Sequence, residues 1–192
     1  MATDARPGAA EMREDRSRRR ADRAQRGFVV PITALRKHLG SSRQVSVDAA
    51  VADLGALGVF VPDDAPVHVD LVLTSDPGGL TANGTIEATW VGECRRCGGV
   101  VDGQVAAAVR ERFAPTGSDD EDAYPLAGDT VDLEPLVRDV VLLELPLAPL
   151  CAETCLGLCP QCGTNWNEGP CQCRPAADPR WSVLDELREP PG

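Results

Sequence analysis

An α+β fold is what this sequence predicts: an antiparallel β-sheet packed by one main helix, followed by a C-terminal cysteine-rich knuckle segment. Three observations carry that expectation. Apolar and polar residues alternate through Val67–Leu73 and again toward Trp90, an apolar stripe at helical spacing runs from Leu133 to Leu145, and six of the eight cysteines crowd into residues 151–173. A chain of 192 residues with 43% hydrophobic content holds enough apolar material for one domain with appended segments. Aromatics supply only 4%, so the core is expected to rest on Val, Leu and Ala, with Trp90, Trp166 and Trp181 as its few large anchors.

Residues 1–26 carry eight arginines against five acids and show no apolar periodicity, which reads as a basic, disordered arm. Residues 27–150 form the expected α+β core domain. Phe28-Val29-Val30-Pro31-Ile32 reads as a short strand, after which Thr33 is expected to cap a brief helix that runs through Leu39 and stops at Gly40. Val67, Val69, Leu71 and Leu73 alternate with polar partners as a half-buried strand, and Asp76-Pro77-Gly78-Gly79 turns the chain. A second strand is expected over Leu80–Val91, with Ile86, Ala88 and Trp90 on one face and Gly84 marking a bulge or a close approach. Val101, Val105, Val109 and Phe113 suit a third strand that places Arg110 and Arg112 on its opposite face, so Cys94-Arg95-Arg96-Cys97 falls at a hairpin tip. Residues 117–122 are an acidic, solvated connection. Asp132 then caps a helix whose stripe is Leu133, Leu136, Val137, Val140, Val141 and Leu145, and Pro146 ends it. Residues 151–192 form the cysteine-rich segment, closed by a short last helix that Asp178 caps and Pro179 opens.

The eight cysteines fall into close pairs: Cys94 with Cys97, Cys151 with Cys155, Cys159 with Cys162, and Cys171 with Cys173. Two thiolates separated by two residues grip one tetrahedral ion, and a following glycine lets the chain turn so that backbone N–H groups face the sulfurs. Cys159-Pro160-Gln161-Cys162-Gly163 has that form. Short loops cost little entropy to close, so Cys159, Cys162, Cys171 and Cys173 are assigned to one zinc site. Cys94, Cys97, Cys151 and Cys155 remain for a second, which would tie sheet to helix. One ion with spare thiols is the alternative, and disulfides are disfavoured in a reducing compartment.

Four thiolates close the shell of a zinc ion and leave no position for substrate, which makes the expected metal structural. The only histidines, His38 and His68, lie far in sequence from the cysteines, and no nucleophile elbow, P-loop or dinucleotide fingerprint is present. No enzymatic activity and no small-molecule substrate are therefore expected. Net charge is −11, and outside the arm it is −14, which excludes a general phosphate-binding surface. The N-terminus lacks the apolar stretch of a secretory signal, and no run approaches the roughly 18 apolar residues that span a bilayer. A cytoplasmic protein without membrane contact is the expectation.

The order Cys94-Arg95-Arg96-Cys97 after a strand, Leu145-Pro146-Leu147-Ala148-Pro149 after a helix, then Cys155-Leu156-Gly157-Leu158-Cys159-Pro160-Gln161-Cys162-Gly163, resembles the YceD family. The likeness covers about residues 28–187, including Asp178-Pro179-Arg180-Trp181-Ser182-Val183-Leu184. It implies a part in bacterial or organellar ribosome biogenesis, with members supporting accumulation of 23S ribosomal RNA. It assigns no role to the arginines of the arm. The implied partners are ribosomal assembly components, a ribosomal protein or 23S rRNA, and the acidic body favours a basic protein as the immediate contact. Two other classes fit parts of the pattern. A DNA-binding zinc-ribbon transcription regulator would need a basic face that the body lacks. A thiol-based redox sensor would use Arg95 and Arg96 to lower a thiolate pKa, although both are read here as solvated turn residues.

Overall fold

The computed structural model describes residues 27–173. The basic arm and the last helix expected at Asp178 lie outside those residues. Alternation of buried and exposed side chains builds the strands: β1 (Val29–Pro31), β2 (Ser42–Ala49), β3 (Gly55–Ala56), β4 (Val59–Phe60), β5 (Val67–Asp76), β6 (Gly79–Glu93), β7 (Val100–Pro115), β8 (Tyr124–Leu126) and β9 (Thr130–Asp132). Among the described residues two helices accompany them, α1 (Thr33–Arg36) and α2 (Glu134–Glu144).

The sheet grows around β6. Its first part, from Gly79 to Glu87, pairs antiparallel with β5, and beyond the end of β5 the same edge takes β4 of the small β3–β4 hairpin. The other edge pairs with β7 from Leu80↔Phe113 to Glu93↔Val100, and β2 adds antiparallel outside β5. Turn chemistry sets this register. Pro77-Gly78 is the two-residue turn between β5 and β6, joining the pair Asp76↔Gly79. β1 and β9 form a separate antiparallel ribbon.

One face of the sheet is the core. Val67, Val69, Leu71 and Leu73 of β5, Ile86, Ala88 and Trp90 of β6, and Val105, Val109 and Phe113 of β7 all point inward. Helix α2 packs against β6 and β7, burying Leu133, Leu136, Val137, Val141 and Leu145 with Val140 at the edge. The molecule is thus a mostly antiparallel sheet with one main helix, an α+β arrangement. Its outer face is polar, and the acidic connection at 117–122 is a loop, with Asp120 3.1 Å from the Arg112 guanidinium.

Several expectations change in detail. The sheet is not wholly antiparallel, because β8 runs parallel to β7 through Phe113↔Tyr124, Ala114↔Pro125 and Pro115↔Leu126. Helix α1 stops at Arg36 rather than Leu39, and Thr33 is inside it rather than capping it. Only Leu35 of that helix is buried, too little packing to propagate so short a segment. Gly84 marks a close approach rather than a bulge: pairing runs unbroken through Leu71↔Gly84, and a Cβ there would collide with the Asp70 carbonyl of β5. Asp132 does support α2, one position earlier than a usual cap, its carboxylate accepting the Glu134 N–H at 2.9 Å.

Candidate metal centres

The hairpin between β6 and β7 ends in Cys94-Arg95-Arg96-Cys97-Gly98, as the alternation of its strands implies. At that tip the Gly98 N–H donates to the Cys94 carbonyl at 2.9 Å, and the Cys94 N–H donates to the Gly99 carbonyl at 2.8 Å. Residues 159–164 repeat the geometry: Gly163 N–H to the Cys159 carbonyl at 2.9 Å, and Cys159 N–H to the Thr164 carbonyl at 2.9 Å. Gly98 and Gly163 sit at φ 71° and 73°, a left-handed conformation that side-chain-bearing residues rarely adopt. Two distant stretches thus fold into the same knuckle.

The eight thiols gather into two groups of four, Cys94, Cys97, Cys151 and Cys155 in one and Cys159, Cys162, Cys171 and Cys173 in the other. Within each group the sulfurs all lie within 4.8 Å of one another. Cys94 and Cys155 Sγ are 3.8 Å apart and Cys97 and Cys151 Sγ 3.7 Å apart. A tetrahedron with Zn–S bonds of about 2.3 Å has S···S edges of about 3.8 Å, whereas a disulfide needs about 2.05 Å. All eight cysteines are free. The donor set and spacing fit a four-thiolate ion, so both clusters could hold one.

Without a cation each cluster is electrostatically frustrated. Cys94 is pulled down to about 6, first by the backbone N–H of Cys151 and then by that of Cys97, while Cys151 is pushed up to about 12, chiefly by the Cys155 and Cys97 sulfurs. Cys162 is lowered to about 6 by the Thr164 hydroxyl and backbone, and Cys173 is raised to about 12 by Cys162 and by burial. One thiolate forms easily and the next is opposed by its charge, a conflict that a divalent ion removes.

Supporting residues that spacing did not reveal surround the sulfurs. Asn167 Nδ2 donates to Cys155 Sγ at 3.3 Å, and Trp166 Nε1 donates to Cys171 Sγ at 3.4 Å, so this tryptophan is not the core anchor expected of it: it is exposed and its indole N–H serves a sulfur. The Thr164 hydroxyl lies 3.1 Å from Cys162 Sγ. Arg95 and Arg96 are not free in solvent: the Arg95 guanidinium reaches the Leu57 carbonyl, and Arg96 Nη1 donates to the carbonyls of Glu153 at 3.0 Å and Cys155 at 2.9 Å. The Arg95 N–H also donates to the Pro149 carbonyl at 2.9 Å, so the hairpin tip is tied to the segment that follows α2. His68 is apart from both clusters, its Nδ1 2.6 Å from Asp48 Oδ1.

No helix among the described residues is long and apolar enough to cross a membrane. No solved structure matches the chain. Residues 82–188, which include all eight cysteines, match the family described as large ribosomal RNA subunit accumulation protein YceD. An uncharacterized protein of Mycobacterium tuberculosis is 37% identical over 145 residues, 72% of this chain and 70% of the relative. Another from Mycobacterium leprae is 33% identical over 165 residues, 83% of this chain and 72% of the relative. A chloroplast protein of Arabidopsis thaliana, named as a large ribosomal RNA subunit accumulation protein and YCED homolog, is 34% identical over 67 residues, 34% of this chain and 21% of that protein. With a family match over more than half its length, centred on the cysteine-bearing hairpin and knuckle, this chain belongs to the YceD family.

Proposed function

We propose that the chain is a ribosome-biogenesis factor that supports synthesis, processing or stability of large-subunit 23S rRNA in the bacterial cytoplasm, acting as a binding module and not as an enzyme. The family match over residues 82–188 carries this reading, and the name of the Arabidopsis relative points the same way. Each cysteine cluster holds one zinc ion in this reading. A zinc ion bound by four thiolates supplies a cross-link and leaves no position open for substrate. The chain's own part is to bring the hairpin tip, the α2 exit and the knuckle to one place and to direct N–H groups at the sulfurs.

Charge decides the kind of partner. The chain outside residues 1–26 carries −14, and bound zinc in four-thiolate sites would add negative charge. Such a surface repels a bare phosphate backbone and attracts a basic protein, so a ribosomal protein is the immediate contact and rRNA is reached through it. Zinc-ribbon binding to duplex DNA is opposed by the −14 charge carried outside residues 1–26, and Arg95 and Arg96, which a redox sensor would use, are bonded to carbonyl groups.

Depletion of the protein in its own cell tests the function. Mature 23S rRNA should fall relative to small-subunit rRNA; unchanged levels of 23S rRNA and its precursors would contradict the reading. Capture of the tagged full chain should recover ribosomal protein in a salt-sensitive way, and recovery of RNA alone would contradict the assigned contact.

A further inference from the structure

The two cysteine clusters share one piece of backbone. Residues 156–159 lead from the last thiol of the first cluster to the first thiol of the second, and they run antiparallel to residues 164–167. Leu158 is bridged to Asn165, and the Trp166 N–H donates to the Gly157 carbonyl at 2.9 Å. Residues 164–167 lie in the link between Cys162 and Cys171, both members of the second cluster. Asn167, carried by that link, reaches across to the first cluster through its bond to Cys155 Sγ.

The orientation of the Asn167 amide is determined by its partners. Oδ1 accepts the Leu156 N–H at 2.8 Å, while Nδ2 donates to Cys155 Sγ at 3.3 Å and to Asn165 Oδ1 at 2.7 Å. Reversed, the amide would set oxygen against sulfur and nitrogen against an N–H. Cys155 is buried, so its sulfur has little access to water as a substitute donor. Outer donors of this kind orient a ligand and disperse its charge, and their loss commonly weakens metal binding about 10–100-fold.

We propose that Asn167 is a positioning residue that couples the two centres, so that an ion held by Cys159, Cys162, Cys171 and Cys173 strengthens binding of an ion by Cys94, Cys97, Cys151 and Cys155. The inference rests on the metal-binding reading above. An ion in the second centre closes the link over residues 163–170 and fixes Asn167 in place; with that centre empty, the ordering of the link is charged against binding at the first. Linkage makes the effect reciprocal, since each ion strengthens the other by the same factor.

The full chain loaded with cadmium as the probe tests this. Cadmium-113 NMR reads each four-thiolate centre as its own signal, and chelator competition reads its affinity. Asn167→Asp keeps the acceptor for the Leu156 N–H and removes the donor to sulfur. It should weaken the first centre about 10–100-fold and move that centre's signal while the second signal stays in place. Cys162→Ser combined with Cys173→Ser, which disables the second centre, should weaken the first by a similar factor, and adding Asn167→Asp to it should weaken the first little further. Asn167→Ser, whose hydroxyl is too short to reach the sulfur, repeats the comparison without added charge and serves if the aspartate disturbs folding. Effects that simply multiply, or a first centre whose affinity is unchanged by Asn167→Asp or by loss of the second centre, overturn the coupling. A chain that binds no cadmium overturns the metal reading and the coupling with it.

Discussion

Arg96 spends its guanidinium on two main-chain carbonyls, those of Glu153 and Cys155, and so fastens the hairpin tip to the segment that follows α2. Hydrogen bonds from a charged donor contribute more than neutral ones, although solvent screening at this exposed position reduces the gain. Arg96→Ala should therefore cost about 1 kcal/mol and lower the thermal midpoint by about 2–4 °C, measured by melting the metal-loaded chain. Lysine should not restore it, because one ammonium does not offer the forked donors of a guanidinium. His68 makes a separate prediction. Its bond to Asp48 raises its pKa above 6.5, with Glu87 and Asp70 adding to the effect and burial opposing it. A raised folded-state value means that the protonated contact favours the fold fully below pH 6.5, and that this contribution is lost as pH climbs through the folded value. Asp48→Asn should move the His68 ring titration down toward 6.5, followed by NMR; an unmoved midpoint would contradict the assigned cause.

At the scale of elements, β5, β6 and β7 place the first cysteine pair. Their pairing brings backbones close together at Gly84, where a methyl group would meet the Asp70 carbonyl and not a movable side chain. Gly84→Ala should therefore destabilise the chain by about 1–3 kcal/mol in chemical denaturation. These elements were legible in the sequence because each carries its own signal. β5 and β6 alternate cleanly, Pro77-Gly78 marks the turn, and the α2 stripe spans three turns. Others carried too little. β2 presents one buried apolar residue, Val45, on an edge strand, and β3, β4, β8 and β9 have two or three residues each, so tertiary pairing and not local pattern makes them strands. Parallel pairing of β8 with β7 depends on a long-range contact, the packing of Tyr124 against Phe113 with ring centroids 5.4 Å apart. The cysteine grouping was readable from loop closure, whereas the roles of Asn167 and Arg96 were not, since neither residue type nor spacing says which sulfur or carbonyl a side chain will reach.

For the whole molecule, the described part of the cysteine segment adds little to the hydrophobic core: Cys155 and Cys159 are its buried apolar residues, while Leu156 and Leu158 are exposed. Residues 151–173 are held mainly by knuckle backbone bonds, Arg96 and the sulfur clusters, so metal should set their stability far more than that of the sheet. Chelation should make amides of 94–99 and 151–173 exchange rapidly while those of β5 and β6 stay protected; uniform loss of protection across the chain would contradict this division. Acid should act like chelator, because protons compete with the ion for thiolates, and metal retained at neutral pH should be released as pH falls.

The most direct test of the account is the zinc content of freshly purified, folded protein, read by native mass spectrometry together with thiol titration before and after chelation. Two zinc ions per chain, with all eight thiols unreactive until chelator is added, is the predicted result. A folded chain free of metal with eight reactive thiols would contradict it.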